Sequence, residues 1–262
     1  MKSRFFLALA AIFAGVSALA TARAEACDGP ALYENMVRAK GGRERLHEVH
    51  ALYAHWRLRY WNWEKFRVIT EERRTLYLFP DFLWAMSDIE PFGKESSTVD
   101  LSTGTVKTML EGRKHVEVEP VRVGTALAVA QAEWLIESRW WKPEVLGCFE
   151  ETYEGVASWV VRVAGSGLEF EYFIEKGKDL PWMVRRKAGQ AEYLRGLFHY
   201  KSVNGLMMPT FYRVVDKYNG RVFFSYGRKL RFEINPDYDP RVRKWDPTIE
   251  GDPEPWRRKR SR

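Results

Sequence analysis

From Ala51 to the neighbourhood of Asn235 the chain runs in stretches of alternating apolar and polar residues, and this period of two limits the fold more than any other feature. In the first stretch Leu52, Ala54, Trp56, Leu58 and Tyr60 fall on one face, with Tyr53, His55, Arg57 and Arg59 on the other, as a half-buried strand requires. Similar stretches are separated by turn signals at Pro80-Asp81, Ser102-Thr103-Gly104, Glu111-Gly112, Gly165-Ser166-Gly167, Gly189-Gln190, Asn204-Gly205 and Asn219-Gly220. The two Asn-Gly pairs are the most specific, because a two-residue hairpin needs positive φ, which Asn and Gly tolerate. Long strands joined in order by tight turns form an antiparallel meander, and such a sheet curls around its apolar side. The expected fold is mainly β with helical additions (α+β): an antiparallel β-barrel or half-barrel.

Helical periodicity is confined to three places. Residues 30–40 put Leu32, Met36 and Val37 on one face ahead of the stop at Gly41-Gly42, and a short second turn spans Arg43 to Val49. Residues 125–138, TALAVAQAEWLIES, lack Gly and Pro and carry only Glu133 and Glu137 as charges. A helix so apolar must be covered, so it is expected to act as a lid, packing into the mouth of the curled sheet or over a ligand there. The end of the chain from Asn235 is rich in Pro, Asp and Arg and is expected to be extended.

The N-terminus has the three parts of a cleaved secretory signal: Lys2 and Arg4, an apolar run from Phe5 to Ala20, then small residues at Ala22, Ala24 and Ala26. The expected organisation is a signal peptide at 1–26, a β domain at 27–236 and a basic tail at 237–262, with the mature protein in the periplasm. The net charge of +7 is not spread over the domain. The signal carries +2 and residues 257–262 carry +5, which leaves the body neutral and argues against a nucleic-acid groove. An anionic membrane surface is one partner for that tail, and a solvated, frayed end is the alternative.

Cys27 and Cys148 are the cysteines of the mature chain. In an exported protein they suit a disulfide; free thiols, or acylation of Cys27 as a lipoprotein's first residue, are the alternatives.

Catalytic patterns are weak. Ser158 and Ser225 lack the glycine a nucleophile elbow needs two residues earlier, and Gly93-Lys94 lacks the earlier glycine of a phosphate loop. His47-Glu48-Val49-His50 is one residue short of the zincin spacing. Glu71-Glu72 and Glu150-Glu151 point apart on a strand and read as solvated charge. No cofactor, metal site or enzymatic activity is expected. What stands out is aromatic content, with 11 Trp, 15 Phe and 12 Tyr. These residues either pack a core or line a cavity for an apolar ligand.

Residues 37–46, VRAKGGRERL, followed by a long strand, resemble the opening of bacterial outer-membrane lipoprotein-sorting proteins of the LolA/LolB-like superfamily. So do residues 198–209, FHYKSVNGLMMP, a hairpin at Asn219-Gly220, and Phe232-Glu233-Ile234-Asn235-Pro236 near the other end. The resemblance implies a half-barrel with helices over its mouth and a cavity for acyl chains of a lipoprotein or another lipid. On that basis the cavity wall is expected to include Trp56, Leu58, Phe66, Val68, Trp84, Met86, Phe170, Tyr172, Phe211 and Phe223, with Leu127, Trp134 and Leu135 on the lid. Each residue is also suited to an ordinary core. Burial of roughly 0.8 kcal/mol per CH₂ makes sequestration without catalysis energetically sufficient for a carrier. The alternative is an envelope scaffold or sensor that binds a protein partner.

Overall fold

The computed structural model describes residues 27–62, 66–110, 113–118, 143–165, 168–188, 191–218 and 221–247. The expected signal, the expected lid at 125–138 and residues 248–262 lie outside them.

Helix α1, Gly29–Lys40, starts where the Asp28 carboxylate accepts from the Ala31 N–H at 3.0 Å, with Pro30 in its first turn. It buries Tyr33, Met36 and Val37, while Leu32 is only partly covered. It stops at Gly41, whose φ of +129° favours glycine. A Cβ at that position would also collide with the carbonyl oxygen of Gly205. The short helix α2, Arg43–Glu48, leads into the sheet.

The strands follow as β1 (Ala51–Asn62), β2 (Arg67–Leu78), β3 (Phe82–Glu90), β4 (Gly93–Asp100), β5 (Thr105–Leu110) and β6 (Arg113–Val118). A second run comprises β7 (Glu144–Tyr153), β8 (Val156–Gly165), β9 (Leu168–Glu175), β10 (Pro181–Ala188), β11 (Ala191–Val203), β12 (Leu206–Tyr218) and β13 (Arg221–Ile234). They form one antiparallel sheet in the order β6-β5-β4-β3-β2-β1-β13-β12-β11-β10-β9-β8-β7. Two meanders are thus joined centrally by β1 and β13, and β6 and β7 are its edges. The seam is tied by Asn235, which accepts from the His50 and Ala51 N–H groups at 2.9 and 3.1 Å and donates to the Glu48 carbonyl at 3.0 Å.

One apolar cluster joins Tyr77, Leu83 and Val99 of the first meander to Val161, Phe170 and Tyr172 of the second, with Met36, Val37 and Leu46 of the helices. Strands so far apart in the sheet order share a core only because the sheet curls. The cluster therefore marks the inner face of an incomplete barrel, and the helices plug one end of it.

The outer face departs from the simple alternation. Tyr53, Leu76, Leu78, Phe82, Trp84 and Met86 form a second cluster there, closed by Val242 and Trp245. The segment expected to be extended thus folds back, with a 3-10 turn at Pro240–Lys244. Arg243 donates to Asp81 at 2.8 Å and Lys107 to Asp246 at 2.6 Å, fixing it across the sheet. Trp84 and Met86 consequently stand on the outer face and not on the inner wall. Both phases of β3 are apolar because both faces are buried, and a period-two pattern cannot then say which phase points in.

Cys27 and Cys148 form a disulfide with Cα atoms 6.0 Å apart across a sequence separation of 121. It holds the start of α1 against edge strand β7, where Gly29 packs on Gly147 and Val145. Since no described cysteine is free, the free-thiol and acylation alternatives fall away. Replacing both cysteines by Ala, or reducing the native protein, is expected to cost about 2–5 kcal/mol in urea unfolding. An unchanged midpoint would mean that helix packing alone holds this end. Trp245→Ala is expected to cost about 3 kcal/mol by emptying the outer cluster; a loss within about 0.5 kcal/mol would show that the segment contributes little to stability.

Candidate functional site

The inner face changes character along the strands. Near the helices it is apolar. Further along β1 comes a layer where Trp56 stacks edge-on to Tyr212, with ring centroids 4.8 Å apart. Lys229 lies in this layer, its Nζ 4.6 Å from the Trp56 ring and 4.0 Å from that of Phe232. It donates to the Pro209 carbonyl at 2.8 Å, and burial pushes its ammonium well below the ordinary lysine range.

Beyond that layer, at the end of the barrel away from the helices, lies a cavity of about 360 Å³. Leu58, Trp61, Val214 and Phe224 supply its apolar lining. Tyr60, Ser225, Glu71, Arg73, Arg195 and Asp216 supply the polar part. The register explains the grouping: Leu58 pairs with Glu71 and Gly227, Tyr60 with Ser225, and Val214 with Arg195 and Ser225. Side chains two residues apart on five neighbouring strands, β2, β1, β13, β12 and β11, therefore share one inner surface.

The charges in the cavity are paired within each wall. On β2, Arg73 Nε donates to Glu71 at 2.6 Å, and Ser87 donates to the same carboxylate oxygen at 2.6 Å. Glu71 is only 2% exposed, so it is not the solvated charge its sequence context suggests. It does point away from Glu72, which instead accepts from Arg57 at 2.6 Å on the outer face. On the opposite wall Arg195 donates to Asp216 at 2.5 Å. Burial, aided by the charge and hydrogen bond of Glu71, pushes the Tyr60 phenol up to about 12. Burial also raises the Glu95 carboxyl; Arg73 opposes this and Glu71 adds to it.

The expected wall residues divide. Trp56, Phe170 and Tyr172 lie in the inner cluster, and of the described members of the set Leu58 lines the cavity. Phe66 and Val68 are exposed, and Phe211 stands on the outer face beside Phe198 and Tyr226. These three, with Trp84 and Met86, are corrections to the expected wall. Phe211 is out of phase because its neighbour Tyr212 points inward, Val68 is out of phase because the buried Ile69 points inward, and Phe66 lies in the turn before β2. The Phe223 side chain and the lid residues Leu127, Trp134 and Leu135 lie outside the described residues. The charged lining was missed, although one signal for it existed. Glu71 and Arg73 stand in the same phase as Ile69 and Tyr77, and so on the inner side of β2.

No protein-family model matches the sequence, and no curated protein matches it. Among solved structures, a LolA superfamily protein from Nitrosomonas europaea superposes with a TM-score of 0.50 at 10% identity, covering 80% of this chain and 95% of that one. A DUF1329 family protein from Desulfovibrio piger also superposes with a TM-score of 0.50 at 10% identity, covering 82% of this chain and 96% of that one. At such identity the likeness concerns architecture alone: the chain has a LolA/LolB-like fold.

Proposed function

We propose that the protein is a non-catalytic carrier or binder of lipid or lipoprotein acyl chains in the bacterial periplasm, exported by the signal at 1–26. The observation that carries this reading is the inner cavity, open beyond the Trp56 layer, with an apolar lining between two walls that each hold an ion pair. Its volume falls at the lower end of the range for ligand sites. That size suits a single-chain amphiphile, or one end of a larger lipid, better than a whole lipid anchor. The apolar groups Leu58, Trp61, Val214 and Phe224 would take the chain.

The paired charges narrow the head group. A bare anion that drew Arg73 away would leave the Glu71 carboxylate buried without its ion-pair partner, at a desolvation cost. A zwitterionic or hydroxyl-rich head would give Glu71 and Arg73, or Asp216 and Arg195, a partner each. Sequestration needs no nucleophile, and binding follows from burial of the chain alone. The scaffold alternative requires a filled interior, which the cavity does not favour.

Native mass spectrometry of the protein taken from a periplasm without detergent is the direct test. A bound mass in the lipid range, reduced tenfold or more by Val214→Trp with the β-sheet spectrum unchanged, is the expected result. A clean unliganded mass with no uptake of a fluorescent fatty acid would move the assignment to the scaffold. Glu95, a neighbour of Glu71 and Arg73 outside the lining itself, also has a stability signature. The Glu95 carboxyl is raised above its ordinary value of 4.5. Its contribution is fully present below the unfolded value and is lost as pH rises through the folded one. Glu95→Gln is therefore expected to raise the unfolding midpoint at about pH 7 and to leave it unchanged below about pH 4. Equal shifts at both pH values would show that charge is not the cause.

A further inference from the structure

The outer surface at the cavity end carries an apolar patch that the core does not use. Trp61, Phe66, Val68, Val222, Phe224 and Tyr226 are all exposed, Phe66 to 76% and Phe224 to 49%. The register gathers most of them: Trp61 pairs with Val68, and the pairing of Tyr60 with Ser225 brings Trp61 beside Phe224. Trp61 and Phe224 also line the cavity, so the patch is its rim.

Arginines stand on the same outer face, set back toward the middle of the strands. Arg59 pairs in register with Tyr226, and Arg57 with Arg228. Arg59 and Arg228 are exposed. Of this set Arg57 is neutralised by Glu72, and the acids Asp88 and Glu90 lie one strand further out on β3. Two residues of strand separate Trp61 from Arg59, which is about 7 Å. That matches the depth to which interfacial apolar groups enter a bilayer while cations remain at the phosphate level.

We propose that this end of the half-barrel docks on the surface of a bilayer carrying anionic phospholipid. Trp61, Phe66, Val68 and Phe224 enter the head-group region, and Arg59 and Arg228 contact phosphates. Docking in this pose turns the mouth of the cavity toward the lipid. The inference rests on the outer surface and stands even if the cavity takes no lipid.

Co-sedimentation of the full mature chain with phosphatidylcholine vesicles, with and without phosphatidylglycerol, tests it. Binding is expected only to the anionic vesicles and to weaken with salt. Phe66→Ser with Val68→Ser, and separately Arg59→Glu with Arg228→Glu, are expected to weaken it about tenfold or more. None of these four residues lines the cavity, so lipid uptake by the same variants reports the carrier reading independently, and their circular dichroism reports the fold. Failure of the native chain to bind anionic vesicles would overturn the proposal. So would full binding by both double variants with loss on replacing Arg257, Arg258, Lys259 and Arg260 by Gln, since the C-terminal charges would then be the contact.

Discussion

A thirteen-stranded antiparallel sheet that is apolar over most of one face has to bury that face, and among the described residues the helices α1 and α2 cover one end of it. Wrapping of the sheet on itself takes much of the remaining area out of water. The chain does this with its first and last strands paired at the centre, so that each meander curls from a common seam. Asn235 locks that seam by taking up the backbone groups at the start of β1, and the disulfide draws edge strand β7 to the plug helix. Curvature, plug and clamp all follow from the need to cover one face.

That requirement also governs how much could be read beforehand. The assignment of Leu52, Ala54, Trp56 and Leu58 to the inner face was legible because β1 is polar on its other side over most of its length. The phase of β3 was not, because Trp84 and Met86 are buried by a C-terminal segment whose composition reads as a free tail. A period of two reports the difference between faces, and it is silent where neither face is wet. The helix stop at Gly41 was legible for the opposite reason, since the local signal and the tertiary contact with Gly205 require the same residue. The candidate site was the least legible part. Its apolar members look like core, and its charged members look like surface until the register places Glu71 and Arg73 in the phase of Ile69 and Tyr77.

The interior charges show where the core ends. Within the Trp56 layer the inner face tolerates Lys229 only as a donor to a carbonyl, surrounded by rings and with its charged form disfavoured. Above the layer, charge appears in pairs on each wall, held by hydrogen bonds of 2.5–2.6 Å. The transition takes two residues of β1, from Trp56 to Leu58, so the layer acts as a floor. A larger apolar core would have extended to the strand ends and left no room there. The polar lining keeps that end of the barrel from collapsing onto itself, since closing the gap would bury the ion pairs further without supplying them new partners.

The same strand geometry couples the inside of that end to its outside. On β1, Leu58 and Tyr60 face the cavity while Arg57 and Arg59 face out, and Trp61 belongs to both because it lies at the rim. Phe224 does the same on β13. A one-residue slip between these strands would exchange the two sets, placing arginines in the cavity and aromatic rings outside the barrel wall. The lock at Asn235 lies at the other end of the same two strands, and between it and the rim the register shifts by one residue at a bulge between His55 and Trp56. The chemistry of the cavity rim is therefore set by the lock next to the helices that plug the barrel together with the bulge that follows it along β1.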